Sequence, residues 1–570
     1  MNLSKYTSLS QRKFLLFVSL AIGVGIVLYF LARTTRIGID LTEEKRFTIS
    51  ESSEKVIKSF DQPVYVKVML DGDFPAGFKR LQSSTKDLLD RFRSINRNII
   101  YTVESPLGED QQEADKLKEA LAKEGIIPIN LIVKGSNEKS ATLIYPYAEV
   151  TYGPRKMYVN LLEEQKLDGS DQEALNSSVG LLEYKFVNAF QKIANPTRKQ
   201  IIFTQGHGEL TSDELSGLQK AISPFFNVYF ANIDSTYKIS SNVDLIVIAR
   251  PRAQFSDKEK FVLDQFLMNG GNLMFLIDKT NAAIDSISPT DGFVPFEYPT
   301  GLDDLLFKYG VRIQPNMVRD LECSKIPMVV GKVGTNVQTE LFNYYYHLIP
   351  APASNHPIVK SLDRVNLFFP SSIDTIKTKY PIKKTVLLQS SQYTSLQFIP
   401  ARLDFEILRY QPDPTKFNKP PVALAVLLEG KFGSLYESRV PADMQEALAK
   451  INAPYKPFGE EAKILVVSDG EVARNHLNRV TGEIQPLGYN RFEKYTYDNL
   501  AFLVNSIEYM MDDNGILQAR TKDIKLRLLD HNEIKHNKLF WQLLNMLLPL
   551  VLLFAAAWIY QRRRKKKYSY

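Results

Sequence analysis

The chain is 570 residues long, with 44% hydrophobic residues, 24% charged residues and a formal net charge of +7. That apolar content excludes an intrinsically disordered chain, and the length allows roughly two or three packed domains. A lone cysteine, Cys323, excludes an intramolecular disulfide framework, so packing alone must hold the body together.

Two uncharged apolar runs stand at the ends, Phe14 to Ala32 (19 residues) and Phe540 to Tyr560 (21 residues). At a rise of ~1.5 Å per residue each makes a helix of roughly 30 Å, the thickness of a bilayer's hydrocarbon core. Lys5, Arg12 and Lys13 precede the first run, and Arg562, Arg563, Arg564, Lys565, Lys566 and Lys567 follow the second. These flanks carry +3 and +6, so the rest of the chain sums to −2, and six charges directly behind an apolar run read as a stop-transfer and topology signal rather than as a nucleic-acid patch. Short basic flanks stay cytoplasmic while a long loop translocates largely regardless of its charge. Two spans are therefore predicted (14–32 and 540–560). A cytoplasmic N-terminus (1–13), a basic cytoplasmic tail (561–570) and a main body in the periplasm complete the topology. The first run exceeds the usual h-region of about 7–15 residues, and Leu31-Ala32-Arg33 is a poor cleavage site, which favours a retained anchor. Trp541 and Trp558 sit near opposite ends of the second run, where aromatic belts form.

Residues 36–195 read as a first domain. Strands are predicted at Pro63–Leu70, Asn98–Glu104, Ile129–Val133, Ala141–Val150 and Lys156–Leu162, and helices at Lys79–Ile95, Asp115–Glu124 and Asn176–Ile193. The order βαβα, ββ, α is that of a thioredoxin-like domain. No Cys-x-x-Cys is present, so only the scaffold is retained. Residues 196–523 read as a second domain. Strands at Gln200–Thr204, Asn227–Ile233, Val243–Ala249 and Asn272–Asp278 alternate with helices at Ser212–Ile222 and Ser256–Met268, the latter opening on a Ser256/Glu259 capping box. This spacing predicts a doubly wound α/β sheet of flavodoxin or glutaminase type. Residues 288–461 read as a β-rich insertion. The sheet resumes at Lys463–Ser468, a helix follows at Asp498–Met511, and 524–538 form a charged juxtamembrane stalk.

The candidate ligand-binding residues are Gly206, His207, Gly208 and Glu209, at the carboxyl end of the first parallel strand, where doubly wound sheets bind ligands. A tight glycine turn in which His207 or Glu209 bonds the neighbouring loop is the structural alternative, and a hydrolase-like enzyme using His207 and Glu209 is the catalytic one. Catalytic residues are otherwise not expected. The elbow after Val243–Ala249 reads Arg250-Pro251-Arg252, without hydroxyl or thiol. No zinc spacing or P-loop occurs, so no metal, cofactor or bound nucleotide is predicted. Leu215-Ser-Gly-Leu-Gln219 reads as an amphipathic helix segment, and Cys323 as a buried apolar residue. In the second run, Gln542, Asn545 and Pro549 are unusual in a lone lipid-facing helix and point to packing against another membrane protein.

Together these residues resemble the GldG family, the gliding-motility-associated auxiliary component of an ABC transporter in Bacteroidota. The resemblance rests on the segments Asp40-Leu-Thr-Glu-Glu-Lys-Arg-Phe-Thr-Ile-Ser50 and Asn176-Ser-Ser-Val-Gly-Leu-Leu-Glu-Tyr184. Gly206-His-Gly-Glu209, Val243–Pro251 with Gly270-Gly271, and Arg520-Thr-Lys-Asp-Ile-Lys525 before the second run complete it. It implies a central α/β domain related to that of an intraflagellar-transport protein, and as partners a permease subunit and a separate cytoplasmic ABC ATPase. It further implies a role in gliding motility, and a solute-binding role within it would call for an envelope glycan, peptide or lipid cargo. A structural adaptor for a motility or secretion machine is the alternative. The family supplies no catalytic residues to carry over.

Overall fold

The computed structural model describes residues 48–517, apart from 73, 107–110, 135–138, 164–170, 196, 289, 335, 478–481 and 513–514, together with 19–20, 23–25 and 537–568. Most of the predicted first span, residues 40–47, Arg520–Lys525 and all of the 524–538 stalk except its last two residues lie outside these. The chain divides into two compact units, residues 1–522 and 523–570.

The first unit opens with helix α1 (Glu51–Lys58), capped by Ser50, whose hydroxyl accepts from the Ser53 amide. Strand β1 (Val64–Val68) follows, then α2 (Ala76–Ile95), β2 (Ile99–Val103) and α3 (Gln111–Lys123). Next come β3 (Ile129–Lys134), β4 (Lys139–Ile144), β5 (Tyr147–Tyr152), β6 (Arg155–Asn160) and the long helix α4 (Asp171–Ala194). The single strand predicted over Ala141–Val150 is instead two, β4 and β5. Pro146 lies between them, and a proline cannot donate to a ladder, so the chain leaves one sheet there and enters another. The main sheet of this lobe runs β2-β1-β5-β6, with β1 and β2 parallel and the other pairs antiparallel. Leu81, Leu88, Leu89 and Phe92 of α2 and Phe186, Val187 and Phe190 of α4 pack on it. Glu183 of α4 accepts from the Ser50 amide and the Ser53 hydroxyl, both at 2.8 Å, and so fastens α1 to α4.

The second lobe begins with β7 (Gln200–Thr204), α5 (Ser216–Ile222), β8 (Asn227–Ala231), β9 (Val243–Ala249), α6 (Asp257–Met268) and β10 (Asn272–Leu276). The helix expected from Ser212 starts four residues later, because Thr211–Leu215 form a turn in which the Glu214 carboxylate accepts from the Thr211 amide and hydroxyl. Then come α7 (Asp303–Tyr309), β11 (Val311–Ile313), β12 (Asn316–Asp320), β13 (Cys323–Val333), β14 (Asn336–Leu348), β15 (Leu367–Phe368), β16 (Ile373–Thr375), β17 (Ile382–Gln389) and β18 (Thr394–Phe398). After them lie β19 (Ala423–Gly433), α8 (Ala442–Lys450), β20 (Phe458–Val467), β21 (Tyr489–Asn490), β22 (Tyr495–Thr496) and α9 (Asn499–Met510).

The nine-stranded sheet has a parallel half in the order β8-β7-β9-β10-β20, continued antiparallel through β19 to β16, β17 and β11. Numbered within the parallel half, that is 2-1-3-4-5. The 288–461 stretch therefore supplies strands to this sheet besides the β13–β14 hairpin. Central strand β9 is buried on both faces, which is why Val243–Ala249 is an almost unbroken apolar run. Leu245, Val247 and Ala249 pack toward α5 and α9, while Ile246 and Ile248 pack toward α6 and α7. Each such side chain contributes about 1.5–3 kcal/mol on burial.

The two lobes are joined across α4 and α9. Glu508 accepts from Tyr184 Oη at 2.6 Å and pairs with Lys192 at 2.5 Å, with both charged side chains largely buried. Residues Ile516 and Leu517, beyond α9, pack into the N-terminal lobe's core. Glu508→Ala strands a buried ammonium and a buried hydroxyl, and is expected to cost about 3 kcal/mol. A urea midpoint equal to that of the unaltered protein would refute this.

The second unit is described as α10 (Lys538–Tyr568), which runs without a break through Pro549. Its Phe540–Lys566 stretch is long and apolar enough to cross a membrane, and its described side chains are all exposed. Among the described residues it is the single such helix.

Candidate functional site

The order 2-1-3-4-5 reverses direction between β7 and β9, and the crevice outside their carboxyl ends is where such sheets bind ligands. The structure brings Gly206, His207, Gly208 and Glu209 to this point. Gly206 and Gly208 hold φ of 121° and 75°, which favour glycine, and a Cβ on Gly206 would come within 3.0 Å of the Asn232 amide. The chain can then double back so that the His207 carbonyl accepts from the Arg252 and Ala253 amides at 2.7 and 2.9 Å.

His207 is only 6% exposed. Its ring lies flat on Phe255, with centroids 3.7 Å apart. Nδ1 is 3.4 Å from Glu209 and Nε2 is 3.1 Å from Glu259, and the Glu209 carboxylate also accepts the His207 amide at 2.6 Å. Glu259 is the capping-box glutamate of α6, accepting from the Ser256 amide and hydroxyl at 2.8 and 2.7 Å. Burial alone would raise its carboxyl, but the Ser256 donors and His207 outweigh that and hold it below the usual range. One glutamate thus caps a helix and clamps the histidine of a neighbouring turn.

Beside this turn lies a buried ion network that the sequence did not single out as a site. Arg250, directly after β9, adopts φ 60° and is 4% exposed. Its Nε meets Asp278 at 2.7 Å and its Nη2 meets Glu471, while Nη1 has no partner among the described residues. Asp278 also accepts from the Gly470 amide at 2.5 Å, and a Cβ on Gly470 would strike Arg250 at 2.7 Å. Asp469 accepts from the Glu471 and Phe368 amides, both at 2.8 Å. Burial and the neighbouring Asp278 and Glu471 push the Asp469 carboxyl far above the usual range. Burial likewise raises Glu471, against the pull of Arg250, while the carboxylates favour the charged Arg250 guanidinium. Arg474 continues the chain, pairing with Glu471 at 3.2 Å and with Glu214 at 3.0 Å.

A sequence signal for these residues existed. Arg250 and Asp469 each follow a predicted strand directly and Asp278 ends one, and in the structure all three stand one or two positions beyond a parallel strand, a place that the fold brings to one edge of the sheet. Chemically the arrangement positions and binds. Both nitrogens of His207 lie against carboxylates, and the polar contacts of the network join carboxylates, guanidinium groups and backbone amides. Cys323, proposed from sequence as a buried apolar residue, is 7% exposed, and its thiol is pushed up to about 12 by burial and by Asp320 and Glu493. Gln542, Asn545 and Pro549 stand at i, i+3 and i+7 of α10 and share one helix face.

Residues 198–506 match the family described as "ABC-type uncharacterized transport system", and residues 43–151 match a "Domain of unknown function (DUF7088)". A relative in Borreliella burgdorferi, described as "Uncharacterized protein", is 21% identical over 548 residues, covering 92% of this chain and 93% of its own. The solved "mmIFT52 N-terminal domain" superposes with a TM-score of 0.30 at 13% identity, covering 55% of this chain and 98% of that domain. The first match spans more than half of the chain and takes in every strand of the nine-stranded sheet together with the network at its edge: the protein belongs to the ABC-type uncharacterized transport system auxiliary family.

Proposed function

We propose that this chain is a non-enzymatic, membrane-anchored auxiliary subunit of an ABC transporter of the GldG kind, serving gliding motility. It works with a permease and a separate cytoplasmic ATPase. Both termini lie in the cytoplasm, spans at 14–32 and 540–560 anchor it, and the two lobes work in the periplasm. The observation that carries the reading is the family match over 198–506 combined with an apolar helix that ends in a basic tail. The strand order β2-β1-β5-β6 supports a thioredoxin-like scaffold for the first lobe, and the 2-1-3-4-5 order supports a flavodoxin-like second lobe. The Gly206–Glu209 turn, clamped through Glu259, and the Arg250 network fasten the switch point, so that the lobe transmits movement of its partners as a rigid body.

Purification of the tagged full-length chain from native membranes in mild detergent tests this. A multi-span permease and a P-loop ATPase should co-purify in fixed ratio, whereas recovery of motility or secretion components alone would favour the adaptor reading. Polar side chains between membrane helices contribute about 0.6–2 kcal/mol each. The paired replacement Gln542→Leu with Asn545→Leu should therefore cut permease recovery roughly tenfold. Undiminished recovery would remove these two residues from the contact.

A further inference from the structure

Between the two lobes of the first unit lies a cleft made of two adjoining cavities, about 1230 and 360 Å³, which share Met157, Tyr184, Asn188, Lys192 and Phe225 in their walls. One strand lines both cavities. Residues 155–157 of β6 line the smaller cavity and residues 157–160 the larger. Among the described residues β6 is the edge of its sheet and pairs only with β5, without bulge or proline.

The direction of its backbone groups follows from the register. Leu161 donates to Pro146, and antiparallel pairs alternate between bonded and non-bonded positions, so Val159, Met157 and Arg155 face β5. Lys156, Tyr158 and Asn160 therefore turn their amides and carbonyls away from β5, into the cleft. No described residue pairs with them. Such a row of open donors and acceptors at a 2-residue repeat is the complement of an extended backbone, as in strand addition to sheet edges. The larger cavity exceeds the usual small-molecule range of about 300–1,000 Å³.

Charge fixes the polarity of the guest. The smaller cavity is walled by Arg155, Lys156, Lys192, Arg198 and Lys199 against only Glu508 and Asp512. Lys192 is taken by Glu508, Lys156 pairs with Glu149 at 3.1 Å and Lys199 lies 3.9 Å from Asp244, whereas the guanidinium groups of Arg155 and Arg198 donate to the Ile193 and Ser223 carbonyls and meet no carboxylate among the described residues. The cationic end coincides with the start of β6. A strand added antiparallel places its C-terminus there.

We propose that this cleft binds an extended acidic peptide segment, which adds to β6 as an antiparallel fifth strand with its carboxylate-bearing C-terminal end against Arg155 and Arg198. The proposal does not rest on the transporter reading, since peptide binding and permease recovery are separate measurements on the same chain.

The test is fluorescence anisotropy of the full-length protein in detergent. The probe is a labelled octapeptide of alternating threonine and valine ending in two aspartates. It should bind at least tenfold more tightly than the same peptide ending in two lysines, and Arg198→Glu should erase most of that preference. Tyr158→Pro, which removes one of the outward amides, should abolish binding. Should that variant fail to fold, the unaltered protein gives the same answer with N-methylated probes. Methylating one alternate set of peptide nitrogens should abolish binding and methylating the other should not. Absence of binding, equal binding of both termini, or tolerance of both methylation sets would overturn the proposal.

Discussion

Arg250→Met is expected to be the most destabilising single substitution in the second lobe, costing about 4 kcal/mol. The side chain volume is roughly kept, so packing is not the source of the loss. The source is electrostatic: Asp278 and Glu471 lose their shared guanidinium while remaining buried beside Asp469. A protein of ordinary stability has only about 5–15 kcal/mol to lose. The expectation carries its own control. Replacing the partners as well, Asp278→Asn with Glu471→Gln in the Arg250→Met background, removes the uncompensated charge and should restore a good part of the stability. Denaturation midpoints of the single and triple variants decide the matter. If the triple variant is no better than the single, repulsion among stranded carboxylates is not what Arg250 prevents.

Acid should weaken the protein through two buried histidines. His347 is pushed down to about 3 by burial, with His476 adding to the effect, and His356 is pushed down to about 4 mainly by burial. In the unfolded chain each imidazole takes up a proton near pH 6.5. Because the folded values lie below the unfolded one, unfolding binds protons throughout the interval between them. The stabilising contribution is therefore full above pH 6.5 and is lost as pH falls toward about 4 for His356 and about 3 for His347. Between pH 7.5 and pH 5 the loss is about 2 kcal/mol per histidine. Asp264 and Asp469, whose carboxyls burial raises, work in the opposite direction, so the effect is read as a difference between variants. His347→Phe keeps the aromatic contacts with Tyr344, Phe368 and Phe369 and removes the titration. Its urea midpoint should fall less between pH 7.5 and pH 5 than that of the parent. Parallel pH slopes for the two proteins would show that His347 is not the group responsible.

Local chemistry made much of this fold readable. β9 declares itself because a strand covered on both faces has no reason to alternate, and Ser256 with Glu259 announces the start of α6 four residues at a time. What stayed hidden depends on distant partners. Ala141–Val150 alternates well enough to pass for one strand, and only the pairing of β4 with β3 and of β5 with β1 shows that Pro146 divides it. β19 looked like part of an insertion because its neighbour β20 follows only after α8 and a further loop. At the site, the glycines at 206 and 208 were legible as a turn. The second bond of Glu259 was not, since a capping glutamate carries no mark of a histidine placed fifty residues earlier. Arg250 was visible beside Pro251, but the carboxylates that explain it belong to two other strand ends.

The packing of Ile516 and Leu517 into the N-terminal lobe has a bearing on how the chain is made. A ribosome delivers the first lobe's strands and helices hundreds of residues before it delivers these two side chains. Until then that lobe carries an open apolar notch, and contacts of such long sequence separation form slowly. The first lobe to be synthesised is therefore completed only after the strands and helices of the second have been made.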